Sequence, residues 1–325
     1  MHAIAQMPPR RLGLWIIALA MFNTAAVRAA DYPQKPIRML SPGPGGGADF
    51  VARFVAQGLT GALGQQVVVD NRPAGVIPGQ IVSKAAPDGY TLLVTGNSFW
   101  ISPLMQAHVP YDPVRDFAPI TWAVGSPNVL VVHASLAANS VAELLAAAKA
   151  RPGQLNYASA AAGGSLNLAA ELFKYMSGVD IVRINYKSSG AAVTALAAGE
   201  VQLMFSNAPP IMPHVKSGRL RALAVTTATP SALFPGLPTV AAAGLPGFDV
   251  ASVYALFSPA RTPTAIVARL NRELVRYLGD AAVREKFFAA GLETVASSPE
   301  ELATAIRAEV ARMRKVIDAA GIHEE

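Results

Sequence analysis

Short apolar runs alternate along the chain with longer stretches whose apolar residues recur every third or fourth position. The first kind reads as buried strands and the second as amphipathic helices. A strand over 37–40 runs into Ser41-Pro42-Gly43-Pro44-Gly45-Gly46-Gly47-Ala48-Asp49, after which Phe50, Val51, Phe54, Val55 and Leu59 fall at helical spacing. The same succession returns near the middle. A strand over 155–159 leads to Ala160-Ala161-Ala162-Gly163-Gly164-Ser165, and Leu168, Leu172 and Phe173 then share a helical face. Glycine lets backbone N–H groups approach a ligand closely, and the first turn of a helix offers free donors with partial positive charge. Two such turns suggest a trap for a carboxylate or phosphate, with one wall in each half of the chain.

The rest of the pattern fits two α/β halves. In the first, a strand over 67–69, a helix over 79–85 and a strand over 91–95 follow the opening unit, and Pro87-Asp88-Gly89 makes a turn. Residues 102–117, with Pro103, Pro110 and Pro113, read as loop. A strand over 129–132 opens the second half, and Ser140-Val141-Ala142-Glu143 is a capping box for the helix that ends at Arg151-Pro152-Gly153. After the second glycine-rich unit come strands over 181–184 and 201–205, a helix over 191–198, and a further strand within 218–227. The stretch 230–248, rich in proline and small residues, reads as a long surface connection. Beyond it lie a strand over 253–257, a helix that Thr262 would cap with Pro263 in its first turn, and a last helix opened by Ser298-Pro299-Glu300-Glu301 and stopping near Gly321. Two crossing strands, near 129–132 and 251–257, would join the halves into a hinged, bilobal protein. The domains expected are 31–128 with 256–325, and 129–255.

The first thirty residues have their own character. Arg10 and Arg11 precede a mostly apolar run over 12–27, and Val27-Arg28-Ala29 supplies a small residue for cleavage, so 1–29 read as a secretory signal. The formal charge of +6 falls to +3 once Arg10, Arg11 and Arg28 leave with a segment that has no acid. Nothing after the signal is apolar for long enough to span a bilayer. The absence of cysteine removes any disulfide frame and fits a periplasmic protein of a Gram-negative bacterium that relies on core size. The basic run Arg307, Arg312, Arg314 and Lys315 is interleaved with Glu309 and reads as a solvated helix face rather than a nucleic-acid surface.

Several chemistries lack their apparatus. No Gly-Lys-Ser or Gly-Lys-Thr follows the glycines, and no Gly-x-Ser-x-Gly elbow occurs. The five histidines are isolated from one another, so no metal site is expected. The strongest enzymatic rival is an NAD(P)-dependent oxidoreductase: Gly43-x-Gly45-x-x-Ala48 fits the alanine-ended dinucleotide fingerprint, Asp70 follows at the distance of the ribose carboxylate, and Arg10-Arg11 could serve twin-arginine export. Against it, Pro44 removes a donor from the turn. The chain is therefore read as a binder, not an enzyme, that needs no cofactor.

Longer strings point the same way. Tyr32-Pro33-x-Lys35-Pro36-Ile37, Gly45-Gly46-x-x-Asp49-x-x-Ala52-Arg53, Leu63-Gly64-Gln65-x-Val67-Val68-Val69-x-Asn71-Arg72-Pro73 and Ala86-Pro87-Asp88-Gly89-Tyr90-Thr91-Leu92-Leu93 resemble the Bug proteins, periplasmic receptors of the tripartite tricarboxylate transporter family. Pro110-Tyr111-Asp112-Pro113-x-x-Asp116-Phe117-x-Pro119-Ile120, Glu171-Leu172-Phe173, Tyr186-Lys187 and Pro259-x-x-Thr262-Pro263 extend the resemblance over almost the whole mature chain. It implies a Venus-flytrap receptor holding a small organic acid between two lobes, working as a monomer with membrane permease subunits or a sensor kinase.

Resemblance and turn chemistry together nominate the ligand contacts. In the first lobe these are Pro44, Gly45, Gly46, Gly47 and Ser98; in the second, Gly163, Gly164, Ser165, Asn167, Tyr186, Ser188 and Ser206. Asp49 would repel a carboxylate, so its side chain should turn away and complement the helix dipole. Arg72 could fork a carboxylate or brace its own loop, and Trp100 suits the core better than the cleft. Asn167 stands where the family commonly has histidine, Ser188 where it has glycine, and Ser206 where an aspartate often follows the phenylalanine. Losing that fixed negative charge disfavours an ammonium group, which points to a plain acid rather than an amino acid.

Overall fold

The computed structural model describes residues 32–44, 47–73, 75–106, 108–159, 165–186 and 188–320. Residues 1–29, read above as a secretory signal, and Gly45, Gly46, Gly163, Gly164, Lys187 and Gly321 lie outside them.

The first sheet is built from β1 (Ile37–Pro42), β2 (Val67–Arg72), β3 (Thr91–Gly96), β4 (Phe117–Pro127), β10 (Ala251–Pro259) and β11 (Glu293–Thr294), in the order β11-β4-β10-β3-β1-β2. The second contains β5 (Val129–His133), β6 (Leu155–Ser159), β7 (Ile181–Asn185), β8 (Leu203–Ser206) and β9 (Leu220–Val225), in the order β7-β6-β8-β5-β9. In each, a central strand has parallel partners on both sides: β1 between β2 and β3, β6 between β7 and β8. The chain leaves β1 through α1 (Gly47–Leu63) toward β2 and returns to the other side through α2 (Ile77–Ser83). It leaves β6 through α5 (Ser165–Ser177) toward β7 and returns through α6 (Ser189–Ala198) to β8. The carboxyl ends of β1 and β6 are thus the two points where strand order reverses, and open α/β sheets leave a crevice there.

Antiparallel strands complete the frame. β10 inserts between β3 and β4, matching Tyr254 with Gly96 and Ala251 with Pro127. β4 therefore lies beside β10 until the chain crosses to β5 at Asn128, and the return crossing ends at Val250. Both crossings are tied together: Thr226 Oγ1 accepts the Asn128 N–H at 3.1 Å, and Val250 N–H donates to the Thr226 carbonyl at 2.9 Å.

Helix faces follow their apolar spacing. α1 buries Val51, Ala52, Val55, Ala56, Leu59 and Leu63 against the first sheet, together with Ile266, Leu270, Leu274 and Leu278 of α8 (Thr264–Gly279). Each fully buried aliphatic side chain of this kind contributes about 1.5–3 kcal/mol before entropy is counted. α3 (Ser98–Ile101), α4 (Val141–Ala150), α7 (Ala208–Lys216), α9 (Ala281–Ala289) and α10 (Pro299–Ala320) complete the helices. No helix among the described residues is long and apolar enough to cross a membrane.

The cap expected at Ser140 forms, with the Glu143 carboxylate accepting from the Asn139 N–H at 2.7 Å instead of the Ser140 N–H, and the box at Ser298 closes on both sides. Glu143 N–H donates to Ser140 Oγ at 3.1 Å; Glu301 N–H donates to Ser298 Oγ at 3.1 Å while Ser298 N–H reaches Glu301 Oε2 at 2.8 Å. Three expectations need correction. Thr262 does not cap α8: its hydroxyl turns back to the Pro259 carbonyl at 2.7 Å, and Pro263 precedes the helix without a side-chain cap. Residues 102–104, at the start of the expected loop 102–117, form a 3-10 turn that follows directly on α3, because Pro103 sits in a first turn, where its missing N–H costs nothing. The stretch 230–248 is no mere surface connection, since Phe234, Val240, Leu245 and Phe248 are buried and Val240 N–H bonds the Val225 carbonyl at 2.8 Å. Proline and small residues masked these scattered large side chains.

Candidate functional site

At the switch point of the first sheet lies a cleft of about 410 Å³. One wall is the end of β1 and the start of α1 (Pro42, Gly43, Pro44, Gly47, Ala48); another is the end of β3 with α3 (Gly96, Asn97, Ser98). Ser252, Val253 and Tyr254 of β10 form its back, and Ser165, the first residue of α5 in the second lobe, closes the far side. Both glycine-rich units thus reach one space. No Asp, Glu, Lys or Arg is among the described residues that line it. Hydroxyls, an amide and backbone groups make up its polar surface.

Gly47 is fixed by steric need. A Cβ there would stand 2.0 Å from Tyr254 Oη and 2.6 Å from its Cζ, so only glycine lets α1 begin against the ring. Burial pushes the Tyr254 phenol upward, which keeps it a neutral O–H. Asp49 turns away from the cleft, as its charge demands. It is buried, pairs with Arg53 at 3.0 Å, and its Oδ1 accepts from Asn71 Nδ2 at 2.9 Å; the same Nδ2 donates to the Pro42 carbonyl at 3.1 Å. The ring Asp49–Arg53–Asn71 therefore braces the turn from outside.

Across the cleft a neutral network joins the lobes. Ser165 Oγ and Ser252 Oγ are 2.8 Å apart, Ser252 Oγ donates to Asn128 Oδ1 at 2.9 Å, and Asn207 Nδ2 lies 3.2 Å from Ser252 Oγ and 3.3 Å from Asn128 Oδ1. Around it are buried polar atoms with no partner among the described residues: Ser41 Oγ at the end of β1, Asn128 Nδ2 at the crossing and Asn167 Nδ2 in the first turn of α5. A native fold seldom leaves such groups unsatisfied, and each costs roughly 1–3 kcal/mol when it does. All three belong to residues bonded to, or within two positions along the chain of, residues that line the cleft.

The structure distributes the remaining sequence candidates as follows. Pro44, Gly47, Ser98 and Ser165 line the cleft. Asn167 is buried behind it and accepts from Ser159 Oγ at 3.4 Å. Tyr186, half-buried just after β7, donates its backbone N–H to the Ser159 carbonyl at 2.8 Å. Ser188 is exposed and caps α6, accepting the Ala191 N–H at 3.2 Å. Ser206 is buried and donates to the Asn207 carbonyl at 3.1 Å. Gly45, Gly46, Gly163 and Gly164 fall outside the described residues. Sequence reasoning missed Asn97, Asn128, Ser252 and Tyr254. Asn97 was within reach, because it directly follows the strand end that drew attention to Ser98. Ser252 and Tyr254 gave a weaker signal, polar groups on alternate positions of an otherwise apolar strand.

Two other residues settle into structural roles. Arg72 and Arg38 both bond Asp70, Arg72 at 2.9 Å, and hydrogen bonding from Arg72 is the main cause that holds the Asp70 carboxyl below the usual range. Asp70 is thereby engaged by cations instead of being free for a ribose, which removes a leg of the oxidoreductase reading. Trp100 is in the core, with its indole N–H on Glu309 at 2.8 Å. A larger hollow of about 510 Å³ lies elsewhere, between α9 and residues 230–232, and has neither switch point in its walls. Among the described residues no three potential metal-ligating side chains cluster.

Two α/β sheets with switch points facing one cleft, joined by paired crossings, are the architecture of a bilobal periplasmic solute-binding protein. The family profile of the tripartite tricarboxylate transporter family receptor matches residues 51–322, and the chain belongs to that family. It is 37% identical to the protein BugT of Bordetella pertussis over 96% of this chain and 98% of that one. An R. palustris protein solved with adipate is 37% identical, with a TM-score of 0.77 over 90% of this chain and 99% of that one. MatC from Rhodopseudomonas palustris, solved with bound malate, is 27% identical, with a TM-score of 0.72 over 88% and 100% of the two chains.

Proposed function

We propose that this protein is an exported receptor that captures a small organic acid lacking an ammonium group between its lobes. It then presents the closed form to membrane permease subunits of a tripartite tricarboxylate-type transporter or to a sensor kinase. The observation that carries the reading is the uncharged cleft at a switch point, walled by donors from both lobes. A carboxylate needs donors more than a countercharge, whereas an ammonium group buried there would meet no fixed anion. The relatives solved with adipate and malate support an organic acid. The hinge is assigned to the crossings at Asn128 and Val250, and the candidates Gly45, Gly46, Gly163 and Gly164 to backbone contact with the ligand. Tyr186, Ser188 and Ser206 are kept as contacts that reach the acid only on closure, and the lobes are divided at the same two crossings, with 129–250 as the second lobe and the whole of β10 in the first, to whose sheet it is bonded. Closure follows from differential affinity: an acid touching both walls favours the state in which both are near.

A thermal-shift screen of mono-, di- and tricarboxylates, each paired with its amino analogue, tests this. At a hundredfold excess over Kd the correct acid adds about 2.7 kcal/mol of apparent stability. Glutarate or adipate should raise Tm where glutamate or 2-aminoadipate does not. A response confined to the amino acids, or to none of the acids, would refute the proposal.

A further inference from the structure

Glu309 stands apart from the other charges of α10. Arg307, Arg314 and Lys315 face solvent, but Glu309 is partly buried behind the crossing strands, with Arg312 one turn on and Asp249 of the returning connection as its nearest charges. Its two oxygens hold two donors of one short segment: Oε1 accepts from Asn97 Nδ2 and Oε2 from Trp100 Nε1, both at 2.8 Å. Asn97 is buried, and its Oδ1 accepts the Val253 N–H at 2.7 Å. A carboxylate is an acceptor only, so it dictates which way the Asn97 amide points: nitrogen toward α10, oxygen toward β10. Asn97, Ser98 and Val253 all line the cleft.

We infer that Glu309 is a positioning residue of the acid site: acting through Asn97, it sets the wall formed by residues 97–98 and 252–254 without itself touching the ligand. The inference rests on the reading of the cleft as an acid site. It places control of that site on the C-terminal helix, 212 residues along the chain from the Asn97 amide it orients.

The geometry prescribes a polarity swap. In Glu309→Gln one donor must face another donor, so a bond to Asn97 or Trp100 is lost. Adding Asn97→Asp reverses the pair: the introduced amide on α10 can donate to the introduced carboxylate and accept from Trp100, while that carboxylate still accepts from Val253. All the bonds return, but the negative charge now stands in the cleft wall. With adipate as the probe, Glu309→Gln should bind about tenfold more weakly than wild type. The double variant should recover the wild-type Tm yet bind at least a hundredfold more weakly at neutral pH, with affinity returning as acidification protonates the new carboxylate. Hydrogen exchange without ligand gives an independent readout: peptides covering 95–100 and 251–255 should exchange faster in Glu309→Gln and recover in the double variant. Exchange unchanged there overturns the inference, as does a double variant that binds adipate like wild type. A wild-type protein indifferent to adipate and to every other acid of the screen overturns the reading of the cleft instead, and the exchange measurement still decides Glu309; if another acid binds, that acid replaces adipate as the probe. Should the single variant fail to fold, the adipate affinity of the double variant decides alone.

Discussion

The starts of α1 and α5, at Gly47 and Ser165, occupy the same place relative to their sheets, yet they are held in different ways. The first is braced within its own lobe by charge: Asp49, Arg53 and Asn71 form a ring behind it, and Gly47 rests against Tyr254. The second is held across the lobes by neutral groups, with Ser165 on Ser252 and Asn207 on Asn128. On the proposed hinge, opening the lobes would leave the first set intact and break the second. In the proposed receptor the first helix start would accordingly be the fixed half of the site and the second the moving half, which accounts for charge behind one and its absence from the other. A separated ion pair would oppose opening, whereas hydroxyls and amides exchange their partners for water at little net cost.

The largest effect should come from the fixed half. Gly47→Val puts a branched side chain where even Cβ would overlap the Tyr254 hydroxyl, so acid binding should fall at least a hundredfold and stability by about 1–3 kcal/mol. Replacing Tyr254 by alanine in the same chain should restore the stability and not the binding, as measured by urea unfolding and calorimetry. Asp49→Ala comes next: it strips Arg53 and Asn71 of a shared acceptor and should cost roughly 2–3 kcal/mol, with acid affinity changed less than threefold. A larger loss of affinity than of stability would place Asp49 in the site.

Ser252→Ala probes the moving half. It removes the centre of the cross-lobe network and should cost about 1 kcal/mol, with the unliganded protein more open by small-angle scattering. No change in the scattering profile would show that this network does not hold the lobes together.

Charge–pH coupling should be smallest, and opposite in sign at two carboxyls. Burial raises the Glu309 carboxyl, despite hydrogen bonds from Trp100 and Asn97 that lower it. Its contribution to stability is therefore full below the unfolded glutamate value of about 4.3 and is lost as pH rises through the raised folded value. Asp70 is lowered, so its contribution is present above the unfolded value of about 3.9 and is lost as pH falls through the lowered one. Glu309→Gln should flatten the first limb and Asp70→Asn the second in stability-against-pH curves.

Much of this was legible from local pattern. Each strand, glycine turn and helix start is contiguous, so the two units at 37–59 and 155–173 could be read from spacing, and Asp49 could be assigned outward from charge alone. The back wall could not. Asn97, Ser252 and Tyr254 meet only because β10 inserts antiparallel between β3 and β4, a long-range pairing that leaves no local mark. Thr262 fails as a cap for a local reason: its hydroxyl donates to the Pro259 carbonyl three residues back and is not turned toward the free N–H groups of the helix start. The returning connection hid buried Phe234 and Phe248 among prolines, since composition averages over the very positions that pack.

Hydrogen exchange with and without the acid that most raises Tm would probe both halves at once. Simultaneous protection of peptides covering 41–49 and 160–168 is the predicted result. Protection of one alone, or of neither while Tm still rises, would mean that the acid is not held between the two turns.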